Sequence, residues 1–121
     1  MILVSLGLNV LVLVPVTALL AGGTPGLRAV FGERTPARDI LLAIYAAILA
    51  ASAVLMGAAL VLSDAPWLTG AVGALLAVQV VYKGLTALTV RNGLRHPVVL
   101  ANLAIAVVHL ITLIGIAAAF R

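Results

Sequence analysis

The sequence predicts an all-α integral membrane fold: four transmembrane helices in an up-down-up-down bundle, with two tandem helical hairpins as a finer reading. Three observations carry this. Four apolar stretches run roughly Ile2–Ala21, Ile40–Leu62, Trp67–Val90 and Val98–Phe120. Each is about 20 residues or more, enough to cross a hydrocarbon core of about 30 Å at about 1.5 Å per helical residue. The chain is 65% hydrophobic and 8% charged, with a mean hydropathy of +1.36. A soluble domain of 121 residues has too much surface for its volume to hide that much apolar material. Finally, the cationic residues gather in two of the three connections between stretches.

The chain reads as one membrane domain over residues 1–121, with helices near 2–21, 36–62, 66–91 and 97–120. Backbone groups in lipid must bond within their own segment, so the spans are helices. Span 1 has no positive n-region and no small-x-small cleavage pattern at Leu19-Leu20-Ala21, so it is expected to be a retained helix rather than a signal peptide. Pro15 is expected to kink it. Gly22-Gly23-Thr24-Pro25-Gly26 stops it. Thr35-Pro36 is an N-cap followed by proline at the first helical position of span 2, with Asp39 facing the positive helix end. Ser63-Asp64-Ala65-Pro66 makes a tight connection and caps span 3. Asn92-Gly93 ends that span, and His96-Pro97 opens span 4. Gly26-Leu27-Arg28-Ala29 and Gly84-Leu85-Thr86-Ala87 match about half a chain apart, a hint of a parallel hairpin repeat.

The first connection holds Arg28, Arg34 and Arg38. The third holds Arg91 and Arg95, with Lys83 a little inside span 3. The second has no Lys or Arg. The positive-inside rule therefore puts the first and third connections in the cytoplasm, with both termini outside. Trp67 stands where an outer interfacial anchor belongs, and Phe31 where an inner one does. The net charge of +4 is topogenic. It forms no basic face with an aromatic platform, so nucleic acid is not an expected partner. The lipid bilayer is.

Small residues recur four apart: Ala46/Ala50, Ala47/Ala51 and Ala53/Gly57 in span 2, Gly70/Ala74 and Gly73/Ala77 in span 3, Gly115/Ala119 in span 4. The spacing lets helices approach closely. Packing inside the bundle is the expected use. A face for other membrane helices, in a hetero-complex or homo-oligomer, is the sharper one.

Polar residues within the spans form a candidate seam. Counting inward from the cytoplasmic ends puts Asn9, Ser52, Gln79 and His109 near the midplane. A second layer holds Thr17, Tyr45, Tyr82 with Lys83, and Asn102. Gln79, Lys83 and Thr86 fall on one stripe of span 3, and Asn102, His109 and Thr112 on one face of span 4. Polar groups are costly in lipid and should face the bundle interior or each other. Interhelical hydrogen bonding accounts for most of them at about 0.6 kcal/mol each. A neutral His109 bonded to Gln79 or Asn9 is a satisfied core residue. Lys83 has a stem long enough to snorkel most of the way to the interface.

Several chemistries are excluded. The three acids, Glu33, Asp39 and Asp64, all lie at interfaces. The chain resembles small multidrug-resistance transporters in length and span number alone. That family relies on a membrane-embedded glutamate in its first helix, and span 1 has none. His96 and His109 are about 20 Å apart along a helix and on different faces, so one subunit cannot clamp a haem with both. No cofactor is expected, although a single axial haem ligand or a pigment held through His109 stays open. There is no cysteine, no metal-ligand constellation and no nucleophile–base–acid set. The expected function is that of a non-catalytic accessory or stabilising subunit of a larger membrane complex, or a homo-oligomer, of the bacterial inner membrane. The alternative is a small channel or carrier with a polar pathway along spans 3 and 4.

The topology is directly testable. Reporter fusions after Ser63 and after Gly93 should report outside and cytoplasm respectively. A cytoplasmic signal at Ser63 would reverse the assignment.

Overall fold

The computed structural model describes residues 1–22, 25–62 and 65–119. Its elements are α1 (Ile2–Gly22), α2 (Pro25–Phe31), α3 (Pro36–Val61), α4 (Pro66–Thr89), a 3-10 turn (Gly93–Arg95) and α5 (Pro97–Ala119). The four long helices α1, α3, α4 and α5 are each long and apolar enough to cross a membrane. They correspond to the four spans, with ends within a residue or two of those expected.

Local chemistry explains most of the boundaries. Thr35 caps α3 in extended conformation, its hydroxyl accepting from the Arg38 backbone N–H at 3.2 Å, and Pro36 follows. The fixed φ of proline is already helical, and its missing N–H is one the first turn cannot use. Pro66 and Pro97 open α4 and α5 in the same way. Ala65 is the residue before α4 and makes no side-chain cap, while Ser63 and Asp64, expected to supply one, lie outside the described residues. α1 stays helical through Pro15.

Two features of the connections differ from the expectation. The first is not an open loop. It contains the seven-residue helix α2, closed by Gly32 at φ 79°, whose N–H bonds to Arg28 O at 2.9 Å. That left-handed conformation suits a residue without Cβ. The third turns through Asn92, not Gly93, at φ 55°. Gly93 is required for a different reason: a Cβ there would stand 2.8 Å from the Ala87 carbonyl oxygen. The turn thus folds back against the last turns of α4.

The long helices form two closely packed antiparallel pairs, α1 with α3 and α4 with α5, and the pairs meet less extensively. This is the two-hairpin arrangement. The short sequence match does not mark it, however. Gly26–Ala29 lies in α2 and Gly84–Ala87 lies within α4, so the two segments are not equivalent.

Apolar packing is divided between two ends of the bundle. Leu6 of α1 meets Leu68, Val72 and Leu76 of α4 in one cluster. Leu13, Leu20 and Tyr45 form the other, with Phe31 and Tyr82 against it. Asn9 sits between them along α1. The outward positions are apolar too, with Leu11, Val54, Leu60 and Leu88 all exposed. Surfaces of this kind match hydrocarbon as solvent.

The small residues of α3 point the other way from the expected internal packing. Ala46, Ala47, Ala50, Ala53 and Gly57 are exposed, and Ala51 is half-buried. Gly70, Ala74, Ala77, Gly115 and Ala119 are exposed as well, and Gly73 is half-buried. A Cβ added at Gly57, Gly70, Gly73 or Gly115 meets nothing within 4 Å. The bundle's own helices do not use these positions for close approach.

The contrast predicts the effect of two glycine substitutions. Gly93→Ala should destabilise by about 1–3 kcal/mol, the scale of overpacking against atoms that cannot retreat. Gly57→Ala should change stability by less than about 0.5 kcal/mol. Thermal unfolding in one detergent would compare them; equal midpoints would refute the proposed contact at Ala87.

Candidate polar site

The buried polar residues resolve into two groups, one at the midplane and one a turn or more toward the third connection. The midplane group joins three helices. Asn9 of α1 donates from Nδ2 to Ser52 Oγ of α3 at 3.0 Å. Its Oδ1 lies 3.0 Å from Nε2 of His109 on α5. The other ring nitrogen, Nδ1, lies 3.2 Å from Ser5 Oγ. Ser5 in turn lies 2.9 Å from Thr112 Oγ1. All five side chains are essentially sealed from the surface, His109, Ser5 and Ser52 at 0% exposure.

The orientation of the Asn9 amide sets the tautomer. Asn9 Oδ1 can only accept, so Nε2 of His109 carries hydrogen. In the neutral ring, Nδ1 then accepts the Ser5 hydroxyl hydrogen, and Ser5 Oγ accepts from Thr112. Donation runs in one direction: Thr112, Ser5, His109, Asn9, Ser52. Both ring nitrogens of His109 are engaged, so a pigment or haem iron held there would have to displace Ser5 or Asn9.

The second group centres on Lys83, 3% exposed. Its Nζ donates to Asn102 Oδ1 across the α4–α5 interface at 3.2 Å. It also lies 5.0 Å from the centre of the Tyr82 ring, within reach of a cation–π contact. Tyr45 of α3 lines the same cavity as Lys83 and Asn102. Lys83 is therefore held inside the bundle and does not extend to the interface as its long stem would permit.

Apart from Thr17, the residues of the expected seam are wholly or largely buried, but the pairing differs from expectation in three places. Gln79 is 0% exposed, yet neither amide atom has a hydrogen-bond partner among the described residues. It does not bond His109, whose partners are on α1. The Tyr82 hydroxyl is unpartnered too. Thr17, expected in the second layer, is half-buried and bonds back to Leu13 O and Val14 O of its own helix at 2.7 and 3.1 Å. Ser5 was missed altogether. It lies one turn before Asn9, on the same face of α1, and that spacing was the available signal.

Among the expected topology anchors, Arg28, Arg34, Arg91, Arg95 and Trp67 are exposed. Arg38 is not. It is 5% exposed, donating from Nη1 to Gly32 O at 2.9 Å and from Nη2 to Leu20 O at 3.3 Å. It thereby fastens the C-terminal end of α1 and the turn after α2 to the start of α3. Cations suit a helix C-terminus because they meet unsatisfied carbonyls. Asp39 pairs with Arg34 at 3.0 Å on the surface.

Among the described residues, no group of three His, Asp or Glu side chains stands close enough to hold a metal. Fold and site together define an all-helical protein with four apolar helices of membrane-spanning length and a buried polar network across them. No protein-family model, curated protein or solved structure matches this chain.

The network predicts a graded response at His109. His109→Leu should strand both Ser5 and Asn9 and cost about 1–3 kcal/mol. His109→Gln keeps one donor and one acceptor and should cost less. Unfolding midpoints in detergent would rank them, and equal losses would show that the hydrogen bonds contribute little.

Proposed function

We propose that this chain is a non-catalytic four-span membrane subunit that acts through helix–helix association. It serves as an accessory or stabilising part of a larger membrane complex, or it associates with copies of itself. The observation that carries this reading is the outward stripe of small residues on α3, Ala46, Ala50, Ala53 and Gly57, all exposed. Small residues permit close backbone approach between membrane helices. Here that capacity is left to something outside the bundle.

The polar residues support the same reading. At the midplane Ser5, Asn9, Ser52, His109 and Thr112 satisfy one another across α1, α3 and α5, with Gln79 beside them unpartnered among the described residues. On this reading His109 is a structural hydrogen-bonding centre. The exposed connections are short and offer no room for an extramembrane active site. We place the protein in a bacterial inner membrane with both termini outside, on the distribution of Arg28, Arg34, Arg38, Arg91 and Arg95.

A small carrier is the second reading. Lys83, buried beside a cavity, favours it, although the hydrogen-bonded path along α4 and α5 extends only from Lys83 to Asn102.

Mass spectrometry of the full chain, extracted in a mild detergent, tests the association reading. Wild type should carry a second chain, its own or another. Ala50→Leu with Gly57→Leu should weaken that association by about tenfold or more, equivalent to about 1.4 kcal/mol, with the unfolding midpoint unchanged. A wild-type protein that travels alone under the mildest extraction, or variants that associate equally well, would overturn it.

A further inference from the structure

Lys83 raises a question that the association reading does not answer. Among the described residues its ammonium has one hydrogen bond, to Asn102, and three hydrogens to place. Among the described residues no carboxylate pairs with it. Glu33 is exposed, Asp39 is engaged with Arg34 at the surface, and Asp64 belongs to the connection at the opposite end of α4. A buried charge without a counter-charge is costly, and intramembrane charges ordinarily pair or line a cavity.

A cavity is present beside it. It has a volume of about 140 Å³ and lies between α1 and α5. Tyr45, Lys83 and Asn102 are its polar walls, and Val12, Val16 and Ile105 are among its apolar ones. Ala101, also in its lining, is exposed on the outer face of α5. The cavity therefore reaches the lipid-facing surface. It joins a cation and a hydroxyl to a hydrocarbon-like wall, which is the complement of an amphiphile with an acidic head.

We propose that this cavity binds the head of a long-chain carboxylate from the bilayer, its two oxygens on Lys83 Nζ and the Tyr45 hydroxyl and its alkyl chain leaving past Ala101. The size is consistent with this. At about 30 Å³ per water-sized group, the cavity holds a carboxylate and the first few methylenes, and the rest of the chain lies in lipid. A phosphodiester headgroup is bulkier, and its ordinary depth is the interface. Lys83 lies about 9 Å inside the end of α4, counted from Thr89 at about 1.5 Å per residue. Water alone would fill the space poorly, since a buried water needs two to four polar partners and most of this wall is apolar. The site is independent of the α3 stripe, which faces out of the bundle.

The test is photo-labelling of the full-length protein in detergent micelles with a palmitate analogue carrying a diazirine on its chain. Labels should concentrate on the Val12–Val16 and Val98–Ile105 segments. Palmitate should compete; methyl palmitate and hexadecanol should not. Lys83→Met should weaken binding by about tenfold or more, the scale of one lost charge-assisted hydrogen bond. If that variant does not fold, the competition on wild type decides alone. Equal competition by the methyl ester would reduce the site to an apolar crevice. Equal competition by hexadecyl phosphate would overturn the choice of carboxylate, and labels spread evenly over all the helices would overturn the site itself.

Discussion

A polar group removed from water must find a partner or incur its full desolvation cost, and in hydrocarbon the partner must be protein. The arrangement of this bundle follows from that constraint. Helix pairs α1/α3 and α4/α5 could slide or rotate against one another if only leucines and alanines met between them, because lipid tails are as apolar as the helices. His109 removes much of that freedom. It lies on one pair and finds both its partners, Ser5 and Asn9, on the other. Asn9 then carries the connection on to Ser52 within its own pair. One imidazole thus sets the register between hairpins that otherwise touch sparingly, and the apolar clusters on either side pack in the register it defines.

Spans and polar positions were legible in the sequence for simple reasons. A membrane-crossing helix needs about 20 apolar residues, and the runs are interrupted by Pro and Gly at the places where the helices start and stop. Polar residues inside such runs are few and must turn inward, so Asn9, Ser52, Gln79, Lys83, Asn102 and His109 could be placed in the interior from their types alone. Their pairing could not. It depends on which helices are neighbours and on their relative rotation, neither of which the pattern within one helix contains. Hence the expectation of His109 bonded to Gln79 or Asn9 meets Asn9 in the structure, with Ser5 rather than Gln79 on the other ring nitrogen.

The small residues taught a different lesson. Spacing four apart says that a helix has a smooth face, but not which way the face looks. Even the least polar face of α3 resembles all its others, since lipid-facing and core-facing positions are both apolar in a membrane. The usual signal of burial is missing there. Arg38 shows the opposite limit: a cation in a loop carries the topology signal whether it is solvated or folded onto helix ends, and only the folded chain shows that it bonds Leu20 and Gly32.

The midplane chain also has a polarity. With the ring neutral, each member donates to the next, from Thr112 through to Ser52, and the individual dipoles add along the line. The same heavy-atom positions accept the opposite order. A flip of the Asn9 amide, the other imidazole tautomer and rotation of the Ser5, Ser52 and Thr112 hydroxyls would reverse every link, with Thr112 donating to Val108 O, which lies 3.2 Å away. No helix needs to move and no net charge appears. The interior therefore has two electrical orientations within one fixed geometry, and a field or a neighbouring charge across the bundle would favour one over the other.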